Sequence, residues 1–177
     1  MDITIADLDN TILDAKQRFD STIAVLKYID AQIPFEDKMM PAYNYMNGPR
    51  WLYPRTIAYE NLKSIGINKI NNDSIKVKLT EVFGQKLNRI KDIENRMLEL
   101  LWVLNQELKN VSVYTEINKY GETESIPEHF ESFKNNKSLV NSIIWFNNRR
   151  NLALIIYKNY RESVIELKRI IEEELNN

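Results

Sequence analysis

The chain has 177 residues, 44% hydrophobic and 28% charged, with a formal net charge of −1. That is enough apolar material for one substantial core, and it offers none of the basic excess that nucleic-acid binding requires. Cysteine is absent and His129 is the single histidine, so disulfides, thiolate chemistry and multi-histidine metal sites are excluded. Glycine is scarce, which argues against phosphate-cradling loops, and no cofactor is expected. No stretch approaches the roughly eighteen apolar residues that span a bilayer.

Residues 3–33 repeat apolar positions at a helical period: Ile5, Leu8, Ile12, Ala15, Phe19, Thr22, Leu26, Ile29 and Ile33, with Pro34 ending the run. Within it, Asp7-Leu8-Asp9-Asn10-Thr11 matches the DxDxT signature of haloacid-dehalogenase phosphatases. The resemblance implies a nucleophilic Asp7 at the end of a parallel β-strand. No βα alternation follows, and the family's Gly-Asp…Asp pair for Mg²⁺ is absent. Leu8 and Ile12 belong to the helical period, so Asp7, Asp9 and Asp14 read as acids on solvated faces near a helix N-terminus, where they are favourable.

Residues 34–53 change character: Pro34, Phe35, Met39, Met40, Pro41, Tyr43, Tyr45, Met46, Pro49, Trp51 and Tyr53 crowd a proline-punctuated loop with room for one helical turn. Such a stretch either caps the open end of a helical core or forms a binding lip. A short helix follows Pro54, with Ile57, Ala58, Leu62 and Ile65 as its apolar face and Gly66 as its stop. Asp73 suits the N-cap of a long helix over 74–110, striped by Leu79, Phe83, Leu87, Ile90, Ile93, Met97, Leu100, Leu101, Leu104 and Leu108. Gly84 in this helix reads as the mark of a close helix contact. Residues 111–135 are irregular. Val111, Val113 and Ile117 alternate as a small extended piece, and Pro127 is expected to start a short helix carrying His129, Phe130 and Phe133. His129 reads as a surface or packing residue. Residues 136–175 then hold an unbroken stripe of Leu139, Ile143, Phe146, Arg150, Ala153, Tyr157, Tyr160, Val164, Leu167, Ile171 and Leu175. At about 1.5 Å per residue that helix is roughly 57 Å long.

These elements predict an all-α fold: one domain over residues 1–177, an elongated up-down-up-down four-helix bundle with one short helix and two irregular distal connections. Trp51, Trp102 and Trp145 and all five prolines fall at or toward the distal end. Arg150 interrupts the stripe of the last helix, and an unpaired buried guanidinium is costly. Either Asp30, Glu94 or Glu99 neutralises it, or Arg149 and Arg150, walled by Trp145, Trp51 and Tyr53, form a site for a small anionic ligand or an acidic partner. Arginine's planar fork suits both carboxylate and phosphate.

The segment from Thr56 through Tyr59, Leu62, Lys63-Ser64-Ile65-Gly66, Ile70 and Asp73 to Leu79 resembles a stretch of a large family of bacterial membrane-anchored proteins. Those proteins have one N-terminal transmembrane helix and then a helical domain outside the cytoplasmic membrane. The resemblance implies a non-catalytic extracytoplasmic domain for sensing or protein interaction, anchored through a segment that this chain lacks, on the periplasmic side of the inner membrane. If Met1 is native, the expected place is the cytoplasm, where a helical adaptor or a self-assembling subunit is the competing reading. The bundle is also similar to ligand-sensing domains of chemoreceptors. No catalytic residues carry over.

Overall fold

The computed structural model describes residues 1–48, 51–117 and 123–176. The fold is all-α, with one small hairpin. Helix α1 spans Asp2–Asp30, α2 Met40–Tyr45, α3 Ile57–Ile65, α4 Asp73–Leu79, α5 Leu87–Lys109, α6 Phe130–Asn135 and α7 Lys137–Leu175. A π-helical segment, Thr80–Lys86, joins α4 to α5 without a break. The long helix expected over 74–110 is therefore continuous but locally underwound. The wider turn moves its stripe: Ile75, Leu79, Val82, Leu87 and Ile90 are buried, whereas Phe83 is only half-buried.

Strand β1, Ser112–Ile117, pairs antiparallel with β2, Thr123–Pro127, with Val113 opposite Ile126 and Tyr114 opposite Ser125. The extended piece was expected. Its partner was not, because Pro127 ends a strand instead of starting a helix. Pro127 lies at the last position of β2, opposite Ser112, where a missing N–H is tolerated. Further small corrections sit at helix ends. Asn72, not Asp73, caps α4, its side-chain oxygen accepting from Ile75 N–H at 3.2 Å. Asp30, not Ile33, ends α1.

Contacts divide the chain into two compact units. The boundaries fall inside α1, α5 and α7. The first unit comprises Met1–Leu13, Trp51–Glu94 and Ala153–Asn177. Its helix pairing is written in polar contacts. Lys86 meets Ser163, Lys78 meets Glu166, and Asn72 meets Glu174, so α7 runs antiparallel to the α4–α5 rod. Asp9 with Arg161 and Asp2 with Lys168 set α1 antiparallel to α7 as well. The core holds Leu8, Leu79, Val82, Ile90, Tyr157, Tyr160, Val164 and Leu167.

Helix α3 departs from expectation. Ile57 and Ile65 are 78% and 62% exposed, and Tyr59 is the buried residue. Its ring stacks on Phe83 with centroids 4.9 Å apart. Gly84 leaves room beside it: a Cβ there would lie 3.9 Å from the Tyr59 hydroxyl and 3.7 Å from Thr80 Cγ2. That is ordinary contact, so the close helix approach expected at Gly84 is not present.

The second unit comprises Asp14–Arg50 and Asn95–Leu152. Glu107 accepts from Ser138, which joins α5 to α7 in this unit. Met39, Tyr43 and Met46 from the proline-rich loop are almost wholly buried. Phe35, Tyr43, Phe130 and Phe133 form one aromatic cluster, with Phe35 and Phe130 centroids 5.3 Å apart. The loop thus serves as a cap for this core. It also holds the hairpin, since Ser125 N–H donates to Asn44 Oδ1 at 2.8 Å and Tyr43 hydroxyl lies 2.6 Å from Ser112 Oγ.

A buried arginine centre and an exposed aromatic surface

The seam of α1 is partly polar. Thr4, Leu8, Thr11, Ala15, Thr22, Val25 and Ile29 are buried, while Ile5, Ile12, Phe19 and Leu26 are half-buried. Thr22 was expected on the seam; Thr4 and Thr11 were not, because Ile5 and Ile12 beside them are more apolar. A buried threonine is satisfied locally: Thr11 Oγ1 donates to Asp7 O at 2.8 Å, and Thr22 Oγ1 to Arg18 O at 2.9 Å. The same seam brings Arg18 inward.

Arg18 and Arg150 meet in the second unit. Arg150 is 1% exposed. Its Nη1 donates to Arg18 O, Thr22 Oγ1 and Asn147 Oδ1 at 3.2, 2.8 and 3.2 Å. Its Nη2 donates to Met46 O at 2.8 Å and Gly48 O at 3.2 Å. The guanidinium carbon lies 4.7 Å from the Phe146 ring centre. Arg18 Nε donates to Asp14 at 2.8 Å, its Nη1 to Asn47 O at 2.5 Å, and its guanidinium covers the Tyr45 ring at 4.4 Å. Tyr45 closes the ring of contacts by donating to the other Asp14 oxygen at 2.6 Å.

No carboxylate pairs with Arg150 among the described residues. Asp30, Glu94 and Glu99 do not neutralise it. Neutral oxygens do, mostly backbone carbonyls of the 46–48 loop and α1. Burial pushes its pKa down to about 9, helped by the like charge of Arg18 and opposed by Asp14. It is therefore still charged at neutral pH. What this centre can do chemically is tie the 46–48 loop to two helices. It cannot reach a dissolved anion, because the guanidinium has no open face. Arg150 Nε and Asn47 Oδ1 are buried without partners among the described residues.

The other expected site residues lie elsewhere. Arg149 is half-exposed and sits 6.0 Å from the centre of the Trp145 ring, which is 58% exposed. These two form a cation–π pair at the surface of the second unit. Trp51 and Tyr53 belong to the first unit; Tyr53 is 78% exposed and Trp51 half-buried. Arg150 is thus separated from Arg149 by burial, although the two are adjacent in sequence. Trp102, 69% exposed, lines a shallow cavity of about 270 Å³ with Asn47, Asn105, Gln106, Lys109 and Ser125.

In the first unit a second polar centre was not anticipated. Glu94 accepts from Leu52 N–H at 2.8 Å and from Tyr157 hydroxyl at 2.7 Å. Desolvation raises its pKa, opposed by those two hydrogen bonds. Burial, with Glu94 beside it, pushes the Tyr157 phenol up. Asp7 and Asp9 lie within α1 and not at the end of a strand. Asp9 pairs with Arg161, and Asp7 lies 3.9 Å from Arg55. The strand geometry that the phosphatase motif requires is replaced by a helix.

Among the described residues, no helix is long and apolar enough to cross a membrane, and no group of three acidic or histidine side chains could hold a metal ion. No protein-family model, curated protein or solved structure matches this chain.

Proposed function

We propose that this chain is a non-catalytic binding domain, the helical extracytoplasmic part of a membrane-anchored bacterial protein, and that it acts in sensing or protein interaction through the aromatic surface of its second unit. The supporting observation is the exposure of Trp102 and Trp145, at 69% and 58%, whereas Phe146, Tyr157 and Tyr160 of α7 are buried. Exposed tryptophans beside amides and an arginine are the usual makings of a recognition surface. Arg149 on Trp145 offers a charge-assisted contact to an acidic partner surface or a small anion. The membrane anchor and the periplasmic side rest on the resemblance of residues 56–79.

The test has two parts. Trp102→Ala and Trp145→Ala alter exposed rings and are expected to leave the thermal midpoint nearly unchanged, while partner binding in pull-downs from the native membrane fraction falls. Protease added to intact spheroplasts is expected to digest the native protein. Binding that survives both substitutions would remove the aromatic surface from the reading. Protection from protease until the membrane is lysed would remove the extracytoplasmic assignment and favour a cytosolic adaptor.

A further inference from the structure

The apolar face of α3 is not covered by the core of the first unit. Ile57, its first residue, is 78% exposed, and Ala58 beside it is exposed too. Both line a cavity of about 840 Å³. Its walls come from three places in the chain: Ile3 at the start of α1, Ile57 and Leu62 of α3, and Leu79 and Phe83 of the α4–α5 rod. Tyr59, stacked on Phe83, completes the aromatic part of the lining.

The π-helical segment builds one of these walls. In an unbroken α-helix the stripe that buries Leu79 would carry Phe83 inward with it, four residues on. The wider turn leaves Phe83 half-buried against Tyr59, where its ring lines the cavity. Underwound turns of this kind recur at functional sites. Apolar side chains gathered around one concavity and left open to water mark a place that a ligand covers. The volume lies within the roughly 300–1,000 Å³ of small-molecule pockets.

The polar lining decides the kind of ligand. It consists of threonine and asparagine side chains and a single charged one, Arg55; no acid lines the cavity among the described residues. Arg55 has a long ion pair with Asp7, at 3.9 Å, and the two side chains are 66% and 45% exposed. An exposed pair of that length is weak, so the guanidinium can turn to another carboxylate at small cost. A short anion would meet Arg55 and leave the apolar walls wet. A hydrocarbon would cover the walls and leave Arg55 unused. A molecule with an apolar body and one anionic end matches both.

We propose that this cavity binds a single fatty-acid molecule, its chain along Ile57, Leu62, Tyr59 and Phe83 and its carboxylate on Arg55. This site is independent of the aromatic surface of the second unit.

The experiment titrates the full chain calorimetrically with acetate, octanoate, dodecanoate and dodecyltrimethylammonium, each amphiphile below its critical micelle concentration. Dodecanoate is expected to bind and acetate is not. Affinity should rise about fourfold for each methylene between octanoate and dodecanoate, as each leaves water. Dodecyltrimethylammonium should bind about tenfold more weakly than dodecanoate, since it meets Arg55 with a like charge. Ile57→Glu puts a charge into the apolar wall at an exposed position in the first turn of α3, where an acid is favourable. It is expected to keep the thermal midpoint and to lose dodecanoate binding. Arg55→Gln leaves the apolar walls intact and should remove the preference for carboxylate over ammonium. The proposal is overturned if dodecanoate does not bind the wild type, if dodecyltrimethylammonium binds it as tightly, or if both variants bind dodecanoate as the wild type does. Sedimentation with phosphatidylglycerol vesicles without any binding of dodecanoate would also overturn it, and would make these walls a membrane-facing surface instead.

Discussion

Replacing Arg150 by Met tests the buried centre most directly. Methionine fills similar volume without charge, so the change removes the cost of burying a guanidinium and also removes five hydrogen bonds. Which effect wins depends on what the acceptors do afterwards. The α1 acceptors can partly recover: Thr22 Oγ1 still donates to Arg18 O. Met46 O and Gly48 O belong to a loop and lose the donor that Arg150 gave them. Each unmatched buried acceptor costs about 1–3 kcal/mol, and the loop carries two of them. Arg18 would keep its ion pair with Asp14 and be relieved of a like charge. The net expectation is destabilisation by about 4 kcal/mol. For a chain of this size that is a fall in thermal midpoint of about 10 °C. Urea denaturation followed by circular dichroism gives the free energy directly. Phosphate and carboxylate anions are expected to leave the wild-type midpoint no better protected than the variant's, since the guanidinium is closed to solvent. A variant as stable as the wild type would refute the reasoning, because it would mean that the loop carbonyls need no arginine.

Three further outcomes follow from other sites. Glu94→Gln retains an acceptor for Leu52 N–H and Tyr157 but removes a desolvated charge. Because the folded pKa is raised above its ordinary value of 4.5, wild-type stability from this group is present below that value and is lost as pH rises through the folded pKa. The variant should therefore gain on the wild type as pH rises above 4.5 in paired urea titrations; a loss in that direction would contradict the sign. Gly84→Ala meets nothing closer than 3.7 Å, so the helix should gain about 0.5–1 kcal/mol from lost backbone freedom, and a midpoint that drops would show that the π-helical turn needs glycine. Asp9→Asn removes an exposed pair with Arg161 and should shift stability by less than about 1 kcal/mol, with any larger loss pointing to a structural role for the amino-terminal acids.

The long helices were legible because their apolar period is unbroken by proline. The stripe of α7 from Leu139 to Leu167 is buried almost position for position, Arg150 included. What sequence reading missed has a common physical cause. Apolarity was used as the signal for burial, and this core buries polar groups that satisfy themselves. Thr4 and Thr11 took seam positions expected of Ile5 and Ile12, Thr22 is buried as expected, and Arg18 came inward with them. Arg150 on the stripe did announce the centre, and Asn147, three residues before it, accepts from it. Its partners could not be counted out, because they are carbonyls, which every residue carries. The hairpin failed for a related reason: β2 is a short strand ending in proline, with almost no periodic signal of its own.

A stripe as uniform as that of α7 raises a question of register. Leucine, isoleucine and valine at helical spacing pack nearly as well after a slip of one turn. The polar groups do not. In the second unit, a four-residue slip of α7 would present Phe146 or Leu154 to the carbonyls of Met46 and Gly48 and leave them bare. In the first unit, the same slip would move Tyr157 off Glu94 and put Ala153 or Arg161 at its level. Each unit therefore holds its own buried polar lock on α7, inside the more exposed pairs such as Asp9 with Arg161 and Ser138 with Glu107. Arg150 and Glu94 cost stability through desolvation, as the downward and upward displacements of their pKa values record. Their return is a single alignment of thirty-nine helical residues. The corresponding expectation is that Arg150→Met combined with Glu94→Leu remains helical by far-ultraviolet circular dichroism but loses sharp dispersion in its methyl NMR spectrum. A doubly substituted chain with a single well-dispersed spectrum would show that apolar packing alone sets the alignment.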